Sequence, residues 1–154
     1  MSIFHSMNTT ASALTSQRLR MDVISSNIAN VDTTRAKQVN GEWEPYRKKS
    51  ITLKENEGQF SNFLNMAMGK TVKAGVGNGV KVTSIKEDTE TPFKLVFDPT
   101  HPDANEEGYV QMSNVDLLKE MVDLISASRS YEANITAFNA NKSMLTKALE
   151  IGKG

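Results

Sequence analysis

Apolar side chains in residues 1–30 recur at intervals of three and four, the spacing of one face of an α-helix. The positions are Phe4, Met7, Ala11, Leu14, Met21 and Ile28, with the polar Arg18 and Ser25 completing the alternation. This repeat is typical of the seam of a coiled-coil-like helix. Neither Gly nor Pro interrupts the stretch. The pattern therefore predicts one helix, about 40 Å long at 1.5 Å per residue.

The same alternation returns between about residue 113 and residue 151. It passes through Leu117, Met121, Leu124, Ser128, Tyr131, Ile135, Phe138, Lys142, Leu145 and Leu149. A flanking set widens the apolar face beyond a narrow seam, and consists of Leu118, Val122, Ile125, Met144, Ala148 and Ile151. The width indicates a helix that contacts more than one partner.

The ends of this second helix carry capping signals. Ser113 or Asn114 is predicted to cap the start, with Asp116 near the positive end of the helix dipole. Gly152 supplies the stop. The predicted helix is about 50 Å long.

The region between the helices, residues 31–112, has a different composition. It contains every glycine except Gly152 and Gly154, all four prolines and the only tryptophan, Trp43. Segments 49–53, 80–85 and 93–97 are predicted strands, and 109–110 resume an extended run after the turn-rich 98–108. A short amphipathic helix is predicted near 59–68.

These patterns predict an α+β fold in which long N- and C-terminal helices form a coiled-coil-like pair. Residues 1–30 and 113–154 provide the helices, and residues 31–112 form a small β-rich middle domain. Two packed helices bury one stripe each, so apolar surface is left over. Either the middle domain covers it or neighbouring subunits do, and the wide C-terminal stripe favours the subunits.

Charge and composition narrow the function. The 154 residues include 18 basic and 18 acidic side chains, and no cysteine. A net charge of zero gives no electrostatic basis for binding nucleic acid. No stretch approaches the roughly 20 apolar residues of a transmembrane helix. The N-terminus also lacks the basic and apolar regions of a cleaved signal peptide.

No catalytic, cofactor-binding or metal-binding residues are predicted. The only imidazole bases, His5 and His101, stand in unrelated contexts. Glu120 and Asp123 share one helix face, which is interpreted as a solvated acidic face. His101 begins the tripeptide His-Pro-Asp of J-domain co-chaperones, but here the tripeptide lies in a predicted turn.

Several motifs carry a family resemblance. Residues 26–34 (SNIANVDTT) resemble the N-terminal motif of the flagellar rod and hook proteins. The C-terminal part is similar to the proximal-rod branch of that family, in segments 108–110 (GYV), 114–116 (NVD), 120–123 (EMVD) and 126–134 (SASRSYEAN). Segments 45–49 (PYRKK) and 98–104 (DPTHPDA) resemble its middle region. Residues 35–37 follow the first motif where many rod and hook relatives have Gly-Tyr or Gly-Phe, and 58–79 is longer than in short members.

The resemblance implies a structural subunit of the proximal rod that transmits torque, with copies of itself and related rod proteins as partners. It also implies export by the flagellar type III apparatus without cleavage, a periplasmic location, and termini that become ordered on assembly. Alternatives are another axial subunit, of the distal rod or hook, and a coiled-coil binding or co-chaperone module.

The predicted subunit interface lies on the two helices. Its members are Phe4, Met7, Ala11, Leu14, Met21, Asn27, Ile28, Asn30, Leu117, Met121, Leu124, Arg129, Tyr131, Asn134, Ile135, Phe138, Leu145 and Leu149. Within this set, the asparagines and Arg129 are expected to make directional contacts. Tyr131 is expected to fill the seam with its ring while its hydroxyl stays hydrated.

Overall fold

A computed structural model of the chain describes residues 3–56, 64, 67–69 and 78–152. Helix α1 spans Ile3–Ala29 and helix α2 spans Leu117–Ile151. Between them lie six described strands: β1 (Lys37–Val39), β2 (Glu42–Glu44), β3 (Lys49–Glu55), β4 (Val80–Glu87), β5 (Lys94–Phe97) and β6 (Tyr109–Met112). The α+β class with two long terminal helices is confirmed.

The start of α2 differs from the prediction. The Asp116 carboxylate accepts hydrogen bonds from the backbone N–H groups of Leu118 and Lys119, at 3.1 and 3.3 Å. Asp116 is therefore the N-cap, and the prediction of Ser113 or Asn114 was wrong. Both of those side chains are buried before the helix begins, and their polar atoms are used elsewhere.

The described strands form three two-stranded sheets, β1–β2, β3–β4 and β5–β6. The β5–β6 pair is antiparallel with Phe97 opposite Tyr109, and their rings meet edge to face at 5.3 Å. Strands β3 to β6 confirm the predicted segments, with shifts of a few residues at their ends. All of β5 is exposed.

The β1–β2 hairpin was not predicted. Its two-residue turn consists of Asn40 and Gly41, with φ angles of 53° and 93°. Asn-Gly is the favoured sequence for a hairpin turn that needs positive φ at both positions, so the signal was present in the sequence. The short helix predicted near 59–68 lies largely outside the described residues.

The chain divides into two compact units, and each contains part of both long helices. The first unit combines Met1–Arg18, Leu53–Thr83 and Ser128–Gly154, and the second combines Leu19–Thr52 and Ser84–Ala127. Of the core residues among those described, only Ser16 belongs to the first unit. The second unit holds Ile24, Asn27, Tyr46, Val110, Ser113, Asn114, Val115, Glu120 and Ala127.

Each helix turns one line of less exposed positions inward. This line shares alternate positions with the predicted seam, and at the positions between them it lies one residue earlier in the sequence. In α1 the positions on this line are Met7, Thr10, Leu14, Gln17, Met21, Ile24 and Ile28, and the buried Ser16 and Asn27 lie beside it. In α2 they are Glu120, Leu124, Ala127, Tyr131, Asn134, Phe138, Asn141 and Leu145. The polar Arg18, Ser25 and Lys142 of the predicted seams are exposed, which explains why polar residues occur there.

Candidate subunit interface

A buried polar cluster occupies the second unit and is centred on Asn27. The Asn27 amide nitrogen donates to the Lys49 carbonyl and to Glu120 Oε2, both at 2.9 Å. Its oxygen accepts from the Lys49 N–H at 2.9 Å and from the Tyr46 hydroxyl at 3.1 Å. An asparagine side chain offers two donated hydrogens and two acceptor lone pairs, so Asn27 is fully satisfied inside its own unit. It is 1% exposed.

Glu120 completes this cluster, which we define as Asn27, Tyr46, Lys48 and Glu120. Glu120 is 1% exposed, and Lys48 Nζ lies 2.5 Å from its Oε1 atom. The expectation of a solvated acidic face was therefore wrong for Glu120. It stands three residues after Leu117 and four before Leu124, on the inward line of α2. Asp123 lies 3.7 Å from Arg20, and both of these side chains are partly exposed.

Asn114 extends the hydrogen bonding to the turn that follows β4. Its side-chain oxygen accepts from the Lys48 N–H at 2.7 Å, and its nitrogen donates to the carbonyls of Asp88 and Thr91. The Asp88 N–H in turn donates to the Lys48 carbonyl at 2.8 Å. Asn114 therefore joins the start of α2, the turn after β4 and the segment before β3.

The outward face of α2 in the second unit is apolar. Leu118 is 76% exposed, Val122 66% and Ile125 53%. Their spacing of four and three residues aligns them on one side of the helix, opposite Glu120 and Ala127. Soluble proteins rarely expose a contiguous apolar stripe unless it binds something.

The predicted interface residues Leu117 and Met121 border this face and are also exposed, whereas Leu118, Val122 and Ile125 were predicted only to widen the apolar stripe. Leu124 lies on the inward line and is half-buried. In the second unit, Met21 and Ile28 of α1 and Asn30, in the turn that follows α1, are likewise half-buried.

Predicted interface residues of the first unit divide into two groups. Phe4, Ala11, Arg129, Ile135 and Leu149 are exposed. Met7, Leu14, Tyr131, Asn134, Phe138 and Leu145 are half-buried. Asn141, which was not predicted, donates to the Ser6 hydroxyl at 3.0 Å.

The predicted asparagines differ in what they bond. Asn30 Nδ2 donates to the Ser26 carbonyl near the end of α1 at 2.8 Å, and its oxygen accepts from the Thr33 hydroxyl. Asn134 Nδ2 donates to the Ser130 carbonyl one turn earlier in α2. These bonds are local, whereas those of Asn27 reach two other segments.

The His-Pro-Asp tripeptide lies in the turn between β5 and β6. Asp103 accepts from the Thr34 hydroxyl at 2.8 Å and from the Arg35 guanidinium. The Arg35 hydrogen bond, followed by the Thr34 hydrogen bond, lowers the pKa of Asp103 below its ordinary value of 3.8. The Asp103 carboxylate thus links this turn to the segment that follows α1.

No cluster of three or more His, Asp or Glu side chains within the described ranges is placed to hold a metal ion. Neither described helix combines the length and apolarity that crossing a membrane requires.

Two family models match the two ends of the chain. The family described as flagella basal body rod protein matches residues 7–37, which contain most of α1 and the turn after it. The family described as flagellar basal body rod FlgEFG protein C-terminal matches residues 106–151. The first match thus covers most of α1, and the second covers all of α2.

Full-length relatives decide the family. The flagellar basal-body rod protein FlgC of Bacillus subtilis is 65% identical over 153 residues, covering 99% of this chain and all of the relative. The chain belongs to the FlgC family of flagellar basal-body rod proteins. The FlgC proteins of Borreliella burgdorferi and Escherichia coli O157:H7 are 44% and 39% identical, and each match covers at least 99% of both chains. The role of the present chain is that of a structural component of the rod.

Proposed function

We propose that this rod subunit assembles in the proximal rod through its terminal helices, α1 and α2, with the outward face of α2 as the principal contact. Copies of itself and related rod proteins are its neighbours. The observation that carries the proposal is the apolar face formed by Leu118, Val122 and Ile125. Covering an exposed Leu, Val or Ile side chain contributes about 1.5–3 kcal/mol each. The same chain packs its opposite α2 face internally, so the outward face remains for a neighbour.

The proposed mechanical role is to transmit torque as part of a drive shaft. Such a role requires many interlocked contacts and no bond-making chemistry. The equal numbers of acidic and basic side chains are compatible with such close packing, because a net charge of zero gives little electrostatic repulsion between copies.

We further propose that the chain is exported by the flagellar type III apparatus without cleavage, to a periplasmic position in the rod. The support is the family membership together with the form of the helices. Long helices with uncovered apolar faces are marginal in water until a partner packs against them. Ordering on docking costs binding free energy but allows a large contact surface.

The assembly proposal is tested by replacing the outward face with polar side chains. In a strain lacking this chain, the variant Leu118→Gln/Val122→Gln/Ile125→Gln is expected to abolish swimming and to leave basal bodies without complete rods. Circular dichroism of the purified variant should match the parent, because the three side chains are exposed.

The matched control is Lys119→Gln/Glu132→Gln, which changes exposed polar positions of the same helix. It is expected to swim normally. Full motility and intact rods in the triple variant would contradict assembly through this face.

A further inference from the structure

The buried polar cluster has features that the apolar interface does not require. Lys48 and Glu120 form an ion pair in which the carboxylate is almost completely removed from water. Burying such a pair gains little stability over well-packed apolar side chains, because both charges lose their hydration. The best-attested benefit of buried polar groups is that they select one packing arrangement over others.

We propose that Asn27, Lys48 and Glu120 fix the register of α2 against α1 within the second unit, and so set the direction in which the apolar α2 face is presented. The second half of this statement rests on the proposed function. The first half concerns the folded subunit alone. These are positioning residues, since none of them is exposed on the outward face.

Apolar seam contacts leave the register weakly defined. Leu, Met, Ile and Ala side chains recur every three or four residues along both helices, so sliding by one turn exchanges one apolar neighbour for another. One turn corresponds to about 5.4 Å along the axis. The seam therefore holds the helices together with little preference among registers.

The polar contacts have no such equivalents. Four residues from Glu120 stand Leu124 on one side and Asp116 on the other, and Asp116 caps the helix. Four residues before Asn27 stands Val23. A slip of one turn would place Leu124 or Val23 against Lys48 and the Lys49 backbone. It would leave a buried charge and several backbone groups without partners, which is strongly unfavourable.

The register can be measured directly because the chain contains no cysteine. Arg20→Cys/Asp123→Cys reports the observed register, since these two side chains meet in the structure. Arg20→Cys/Lys119→Cys reports a slip of one turn, because Lys119 lies four residues before Asp123. Each pair is crosslinked with a short bis-maleimide in the parent and in the variants, and the ratio of slipped to native crosslinks is compared.

Two variants remove the cluster to different extents. Lys48→Met/Glu120→Leu replaces the ion pair by apolar side chains of similar size, and is expected to retain helical circular dichroism and a cooperative melt. Its slipped-to-native ratio is expected to rise about tenfold, the change that about 1.4 kcal/mol of lost preference produces. Glu120→Gln keeps the size and the bond to Asn27 but not the charge, and is expected to raise the ratio less. If the double variant fails to fold, the ratio in Glu120→Gln decides.

The outcomes separate this inference from the proposed function. An unchanged ratio in every folded variant overturns the inference, whatever happens to motility. A raised ratio with loss of swimming supports both halves of the statement. A raised ratio with normal swimming overturns the second half if the polar triple variant of the outward face does not swim. If that triple variant also swims, the proposed function has failed, whereas selection of the helix register by the cluster stands.

Discussion

Single acidic side chains close several turns in this protein. Asp88 accepts from Thr91, and Asp98 accepts from Thr100, in turns after β4 and β5. Hydrogen bonds from Thr91 and from Thr100 lower the pKa of Asp88 and Asp98, respectively. Asp103 differs because its partners, Thr34 and Arg35, are distant in sequence. The ionisation of Asp103 therefore directly affects hydrogen bonds between segments that are distant in sequence.

The stability contributed by Asp103 is expected to depend on acidity in a defined direction. A carboxyl whose pKa is lower in the folded state contributes its full stability above the ordinary value of 3.8. The contribution is lost as pH falls below 3.8 and through the depressed folded value. Asp103→Asn should therefore lower the urea midpoint at pH 7 and flatten its decline below about pH 4. The control is Asp32→Asn, an exposed carboxyl. Equal effects of the two substitutions would contradict the assignment.

The contacts within the buried polar cluster could not be predicted from the sequence. Asn27 was found through the family motif, but its role was expected at a subunit interface. Glu120 was placed on a solvated face because acidic residues are seldom buried without a partner. Its partner, Lys48, is 72 residues away in sequence. Periodicity describes one helix at a time, so it could not show this pairing.

The two helices and four of the strands could be predicted from periodicity and β-branched runs, but the inward faces of the helices could not. The predicted seams share alternate positions with the inward lines: Met7, Leu14, Met21 and Ile28 in α1, and Leu124, Tyr131, Phe138 and Leu145 in α2. The intervening positions differ by one residue because apolar residues occur on both faces of each helix. A single sequence does not tell an internal apolar face from one reserved for a neighbour.

The N-cap of α2 gives a prediction at this scale. Asp116→Ala removes the acceptor for two backbone N–H groups and is expected to lower the free energy of unfolding by about 0.5–2 kcal/mol. Asp116→Asn keeps an acceptor oxygen and should lose less. Urea denaturation followed by circular dichroism measures both. A loss in Asp116→Asn as large as in Asp116→Ala would point away from capping.

Two glycines with positive φ allow a comparison of strain with contact. Gly41 has φ of 93° and open space around it, whereas a Cβ at Gly79 (φ of 81°) would stand 2.3 Å from Ser12 Oγ. Gly41→Ala is expected to cost about 1 kcal/mol through backbone conformation alone. Gly79→Ala adds displacement of Ser12, whose hydroxyl accepts from the Val80 N–H at 3.1 Å. The urea midpoint should therefore fall further in Gly79→Ala, and equal shifts would mean that Ser12 yields without cost.

Burial is unevenly distributed between the two units. Nearly all of the core residues among those described belong to the second unit. In the first unit, the later part of α2 exposes Ile135, Met144, Leu149 and Ile151. Local opening is easiest where few apolar contacts are buried. The free energy of local opening is therefore expected to differ between the two units.

Hydrogen exchange of the purified subunit should show this difference. Backbone amides of α2 between Leu117 and Ala127 are expected to exchange more slowly than those after Ser128, since the first stretch contains the buried Glu120 and Ala127. Mass spectrometry of peptic fragments resolves the two stretches. Uniform protection along α2 would contradict the expectation.

Strand β5 has a consequence for the free subunit. Its four residues include Leu95, Val96 and Phe97, all exposed, and among the strands that the structure describes it pairs with β6 alone. The other edge of β5, which no described strand covers, can therefore pair with an extended polypeptide and places exposed apolar side chains beside it. The short length of β5 and the charge of Lys94 reduce the tendency of this edge to pair with another chain, but they do not abolish it. The free subunit is therefore expected to aggregate through this edge more readily as its concentration rises.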